Sequence, residues 1–134
     1  MNETMDQAKA DEFAGKMMTV LNDAFLGMLV SIGHQTRLFD SMAEMPAATS
    51  EHIAQATGLQ ERYVREWLGG MAVARIVLYD PATKTYALPR EHAAFLTRQA
   101  GMNNLAFFTQ YIRLVSAVEG DVVRAFREGG GVGY

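Results

Sequence analysis

Side chains able to do acid–base, nucleophilic or metal chemistry are few in this chain and poorly spaced for it. The three histidines, His34, His52 and His92, stand apart, with no His-x-x-x-His or His-x-x-His pair to seat a metal from one helix face. They read as solvated or capping residues. Cysteine is absent, which excludes thiolate catalysis, disulfides and Cys-based zinc sites together. No serine sits in a Gly-x-Ser-x-Gly elbow. Glu119 and Asp121 flank a glycine and read as the acidic start of a last helix, not as a catalytic pair. A phosphate cradle needs a strand before its glycines, a helix after them and usually a lysine. Gly129-Gly130-Gly131 has helix before it, nothing helical after it and no lysine nearby. No catalytic, cofactor-binding or metal residue is assigned to this chain.

The elements that would have to position any site are nearly all helical. The 134 residues are 49% hydrophobic and 20% charged, enough for one domain with a core but not for two. The stretch from Asp6 to about His34 lacks proline, and Met17, Leu21, Ala24, Met28 and Leu29 recur at helical spacing. Residues 24–33 carry no charge on any face, and a helix apolar all round wants burial on more than one side. That stretch is about half the ~20 residues of a membrane span. The N-terminus lacks the basic region of a signal peptide. A soluble, cytoplasmic domain with no membrane contact is expected. Gly33 is expected to interrupt the first helix, with a short second helix at Leu38-Phe39-Asp40-Ser41-Met42 and a polar connector at Ala47-Ala48-Thr49-Ser50.

The middle third has the clearest pattern. Thr49 can cap a helix with Glu51 in its first turn and Ile53, Ala54 and Ala56 on its apolar face. Gly58 stands where a left-handed stop is expected, and Leu59 plugs the turn. A longer helix starts near Glu61, with Val64, Trp67, Leu68 and Met71 spaced for one buried face. Ile76-Val77-Leu78-Tyr79-Asp80 and Thr85-Tyr86-Ala87-Leu88 then flank a proline-containing turn, a hairpin signal. A helix-turn-helix followed by a hairpin is a winged helix. The fold class is therefore mainly α: a winged helix-turn-helix with a small β-hairpin wing and additional long helices at both ends. After Pro89, helices are expected over Glu91 to Thr97, Asn103 to about Val118, and about Asp121 to Arg127. Leu105, Phe108, Ile112 and Val115 form one apolar stripe of the middle one, and Phe107, Tyr111, Leu114 and Val118 a second. Residues 1–128 read as the domain and 129–134 as a glycine-rich linker, so the chain reads as a piece of something larger.

A winged helix raises DNA binding as the first hypothesis. Fifteen acidic against twelve basic residues leave no excess of positive charge to meet a phosphate backbone. On the second motif helix, Glu61 and Arg65 are four apart, as are Arg62 and Glu66, so that acids offset the arginines along the surface. The wing carries only Lys84. A winged-helix DNA-binding transcriptional regulator stays as the alternative, because a dimer could concentrate its arginines.

A more specific pattern lies in residues 58–97. Gly58-Leu59-Gln60-Glu61-Arg62-Tyr63-Val64-Arg65-Glu66-Trp67-Leu68-Gly69-Gly70-Met71, then Tyr79-Asp80-Pro81-Ala82-Thr83, then Glu91-His92-Ala93-Ala94-Phe95-Leu96-Thr97 resemble the N-terminal winged-helix (dimerisation) domain of bacterial S-adenosylmethionine-dependent methyltransferases. Ser31-Ile32-Gly33-His34 and Leu38-Phe39-Asp40 resemble the same family's first helices. More distantly, the layout is similar to that of plant-type small-molecule O-methyltransferases. Arg37 stands where the family often has Gly, and Gln60 where a capping Asn or Ser is common. The resemblance implies a following Rossmann-like catalytic domain that binds S-adenosylmethionine, about 150–200 residues by the size of ordinary domains. This chain alone is then expected to bind no cofactor and to catalyse nothing.

The resemblance implies dimerisation and the walling of a small-molecule acceptor pocket, with helices after the wing lying over the catalytic cleft. Met102, Phe107, Phe108 and Tyr111 are the candidate pocket residues, against the plainer reading that they are core. The nine methionines read as flexible core or interface filler in preference to an adaptable ligand surface. A homodimer is expected because apolar surface exceeds what the chain can cover, with Phe25, Met28, Leu29 and Ile32 as interface candidates. On its other side, this helix is expected to bring Phe25 and Leu29 against Leu59 and Trp67. An obligate interface of ~2,000 Å² or more would absorb the surplus.

Overall fold

The computed structural model describes residues 4–133. It contains α1 (Gln7–Gln35), α2 (Leu38–Ala43), α3 (Ser50–Thr57), α4 (Glu61–Val73), β1 (Leu78–Asp80), β2 (Thr85–Ala87) and α5 (Arg90–Leu96). A 3-10 segment, Arg98–Asn103, leads to α6 (Leu105–Phe108), α7 (Gln110–Ala117) and α8 (Glu119–Glu128). The mainly helical winged helix-turn-helix is as expected.

Each boundary has a local cause. Asp6 caps α1 by accepting from the Lys9 amide at 3.3 Å, and Thr49 caps α3 by accepting from the His52 amide at 3.2 Å. Glu51, in that first turn, has its carboxyl held below the usual range, chiefly by a hydrogen bond from its own backbone amide. Gly58 closes α3 at φ 70°, a left-handed conformation that costs glycine little. Gln60 precedes α4 without a side-chain cap bond. Arg37 takes the same left-handed conformation, φ 61°, between α1 and α2, which is the physical reason a glycine suits that turn. β1 and β2 pair antiparallel with Tyr79 opposite Tyr86.

The core lies where α1, α2, α3 and α4 meet. Phe39, Ile53, Leu68, Met71, Val64 and Val77 are its most completely buried large side chains. Phe39 and Trp67 meet edge to face with centroids 5.1 Å apart, and Trp67 Nε1 donates to the Leu29 carbonyl at 2.8 Å. Gly33 does not interrupt α1. It is buried within the helix, and a Cβ there would lie 2.5 Å from both Phe39 Cε2 and Trp67 Cζ2. The glycine is there so that two rings can reach the helix backbone.

Four other expectations need correction. Ala56 is exposed, so α3 buries only Ser50, Ile53 and Ala54. The Ala47–Ser50 connector is not merely polar linker, because Ala48 exchanges backbone hydrogen bonds with Tyr86 and lengthens the wing's ladder. The helix expected from Asn103 to Val118 is broken into α6 and α7, and Asn103 itself ends the preceding 3-10 segment. Asn104 caps α6 by accepting from the Phe107 amide, and at Thr109 the bonding tightens to i, i+3, where its amide and hydroxyl both reach the Ala106 carbonyl. Lastly, α1 spans 29 residues and is long and apolar enough to cross a membrane by length and composition alone. The uncharged stretch alone understated this helix. Its last turns nonetheless supply Val30, Gly33 and His34 to the domain interior.

Candidate functional site

The densest polar cluster forms where the end of α1 meets the segment after α5. His34, expected to be solvated, is only 6% exposed. Asn104, 4% exposed, uses its Oδ1 to accept from the Phe107 amide at 3.2 Å, and this leaves Nδ2 facing His34 Nδ1 at 3.5 Å. On the other side of the ring, Arg98 Nη2 lies 3.4 Å from His34 Nε2. Arg98 is itself held by Asp40 of α2: its backbone amide donates to Oδ1 at 2.7 Å, and its guanidinium pairs with the same carboxylate. Four segments of chain thus converge through side chains up to 70 residues apart.

The electrostatics follow from that packing. Burial lowers the His34 pKa below its ordinary value, the Arg98 guanidinium lowers it further, and the Asp40 carboxylate opposes both. The imidazole is therefore neutral at neutral pH. The Phe107 ring stands edge-on to it, 5.8 Å away at 78°. His34, Arg98, Met102, Asn104, Phe107 and Phe108, with Gly101, line a cavity of about 390 Å³. Three of the four expected pocket residues are on that wall. Met102 is 92% exposed and Phe107 and Phe108 are about half exposed, so none of the three is plain core. Tyr111 stacks on Phe108 with centroids 6.2 Å apart. It lines a neighbouring depression of about 180 Å³ with Phe107, Gln110, Arg113 and Leu114.

His34, Arg98, Asn104 and Asp40 were missed as a group. Only their separate motifs were visible, since no local spacing links residues so far apart in sequence. His92 was likewise misjudged: its Nδ1 lies 2.7 Å from the Ile76 carbonyl, tying α5 to the base of the wing. His52 is exposed as expected.

A second candidate surface runs along α1, α7 and α8. Residues 11–25 of α1 are exposed throughout. Phe13, Met17, Leu21, Phe25, Met28 and Ile32 all lie exposed, and their spacing puts them on the side of the helix away from Val30, Gly33 and His34. Leu29 is turned the other way, packing on the core against Gly70. Phe25 is 64% exposed and lies outside the core cluster that holds Trp67 and packs Leu59. Ile112 docks α7 onto α1 at Gly27, and a groove of about 290 Å³ beside that contact is lined by Met28, Ile32, Ile112 and their neighbours. In the elbow between α7 and α8, Val115, Val118, Val122, Val123 and Phe126 line a wider groove of about 670 Å³.

The outer face of α4 is less suited to a ligand. Glu61 lies 3.7 Å from Arg65 and also accepts from Ser50 Oγ at 2.8 Å. Arg62 and Glu66 form no ion pair within 4 Å. Among the described residues, no group of three or more His, Cys, Asp or Glu is placed to hold a metal ion.

The family model for the Rv2258c-like winged HTH domain matches residues 24–98. A solved structure described as PigF with SAH superposes with a TM-score of 0.65 at 18% identity, covering 93% of this chain and 34% of that one. That likeness concerns the fold, and the chain spans about a third of the length of the neighbour. No curated protein sequence matches.

Proposed function

Since the chain belongs to the Rv2258c-like winged HTH domain family, we propose that it serves as the N-terminal winged-helix domain of an S-adenosylmethionine-dependent methyltransferase, pairing two copies and walling one side of a small-molecule acceptor pocket. The observation that carries this reading is the apolar face along α1, α7 and α8. Helices in proteins are held mainly by the packing of an apolar face, and residues 11–25 of α1 are exposed throughout, with Met28 and Ile32 only partly covered by α7. A second copy laid along Phe25, Met28 and Ile32 would remove that face from water. The elbow between α7 and α8 offers a further apolar groove of about 670 Å³.

The methyltransferase part rests on the family resemblance and on the fold shared with PigF, which was solved with SAH. S-Adenosylhomocysteine is what remains of S-adenosylmethionine after methyl transfer, and the reading assigns that cofactor to a catalytic domain and not to this chain's own residues. This chain's residues contribute shape: the wall of Met102, Phe107, Phe108 and Tyr111. Light scattering over a concentration series tests the pairing. A constant mass of twice the 14.8 kDa chain is expected. A monomer, or a mass drifting with concentration, contradicts it.

The alternative, a DNA-binding regulator, has less support. The Glu61–Arg65 pair, with Glu61 further held by Ser50, keeps an acid on the helix that would enter the groove.

A further inference from the structure

The polar end of the wall has a chemical preference of its own. A neutral imidazole has one N–H and one lone pair. Both nitrogens of His34 face donors, Asn104 Nδ2 on one side and Arg98 Nη2 on the other. The Asn104 amide cannot be turned over to help, because its Oδ1 is occupied in capping α6. Whichever tautomer His34 adopts, one of its contacts sets an N–H against another N–H. The hydrogens of Asn104 Nδ2 and Arg98 Nη2 outnumber the single lone pair offered to them. Asp40 relieves the other face of Arg98 but is paired away from the ring. The three side chains carry more N–H groups than the ring's one lone pair can accept, and they border a cavity whose remaining wall is Gly101, Met102, Phe107 and Phe108.

We propose that this cavity selects a planar apolar ligand bearing an acceptor oxygen, which takes the hydrogen bonds that Arg98, Asn104 and His34 cannot give to one another. The ring packs on Phe107 and Phe108, and the oxygen sits at the His34 end. The inference rests on the wall reading above and narrows it to a substrate class: oxygen-bearing aromatics, not amine-bearing ones. His34 and Asn104 are nearly buried and the Arg98 side chain is 35% exposed. A ligand that seals the cavity from water without offering an acceptor leaves these donors unpaired, which rejects it more strongly than apolar contact selects the right one. Two sources of such an oxygen, an anionic carboxylate and a neutral ketone, share this chemistry.

Three small probes on one scaffold test it: 4-ethylbenzoate, 4-ethylacetophenone and 4-ethylaniline. Each is titrated into the 134-residue chain at pH 7.5, with the ring resonances of His34 and Phe107 followed by NMR. Both oxygen-bearing probes should bind at least tenfold more tightly than the aniline. A further tenfold advantage of the benzoate identifies an anionic ligand, and equal affinity of benzoate and ketone a neutral carbonyl. Asn104→Asp keeps the capping oxygen but exchanges the donor for an acceptor, so the preference should fall to within about twofold. Asn104→Ser, which also retains a cap, should weaken it in the same direction. If all three probes bind alike, or if Asn104→Asp keeps the preference, the acceptor-oxygen inference is overturned and the wall reading stands. If no probe shifts His34 or Phe107, both are overturned.

Discussion

Replacing Gly33 with alanine isolates how closely α1 is engaged by the winged-helix core. In an open helical position the change is favourable, since alanine exceeds glycine in helix propensity by about 1 kcal/mol. Gly33 is not open. The added Cβ would sit 2.5 Å from Phe39 Cε2 and from Trp67 Cζ2, and 2.9 Å from Phe39 Cζ. Neither ring can withdraw easily, because Phe39 is fully buried and Trp67 is held by its bond to the Leu29 carbonyl. Overpacking a filled core costs typically about 1–3 kcal/mol, and two rings struck at once argue for the upper end. Subtracting the propensity gain leaves a net loss of about 1–2 kcal/mol. Gly15, on the exposed part of α1, has nothing within 4 Å of its Cβ position and serves as the control. Gly15→Ala should stabilise by up to about 1 kcal/mol. Urea denaturation followed by the fluorescence of the single tryptophan measures both. Equal or greater stability of Gly33→Ala would refute the close approach of Phe39 and Trp67 to the helix.

Other expectations follow from the same contacts. His34 has a lowered pKa in the folded chain, so the unfolded chain binds its proton first. Its contribution to stability is complete above the ordinary histidine pKa of about 6.5 and is lost as pH falls from there toward the folded value. Denaturation midpoints at pH 7.5 and 5.5 should show this loss, and His34→Gln should reduce it. Thr49→Ala removes the α3 cap and should cost about 1 kcal/mol in the same urea assay, with unchanged stability counting against the cap. An electrophoretic titration against mixed duplex DNA at low salt should show no binding below the micromolar range. Tight binding that weakens with salt would favour the regulator reading.

The winged helix was legible because its signals are local. Thr49, Gly58 and the Val64, Trp67, Leu68, Met71 repeat each act within a few residues, and the wing follows from two short β-rich runs about a turn. The choice of Met102, Phe107, Phe108 and Tyr111 as pocket candidates rests on the family resemblance; the first three line one cavity and Tyr111 lies beside it, so the position of that wall was legible only by analogy. The polar end of that wall was not. His34, Asp40, Arg98 and Asn104 meet only after α1, α2 and the 3-10 segment pack, and each alone looks like an ordinary surface or turn residue. The break at Thr109 escaped detection because its stripe of apolar residues runs on at helical spacing through the kink. Leu29 and Phe25 were assigned to faces by composition, but the helix phase decides it, turning Leu29 inward and Phe25 out.

The pairing of two copies through α1 is tested most directly by the same charge placed at two exposed methionines. Met28 lies in the groove between α1 and α7, and Met102 lies at the rim of the His34 cavity. A carboxylate buried in an apolar interface without a partner costs several kcal/mol, on the order of the energy that holds such an interface together. Sedimentation velocity at low micromolar concentration should find the wild type and Met102→Glu as dimers and Met28→Glu as a folded monomer. A Met28→Glu variant that remains dimeric across dilution would contradict the account.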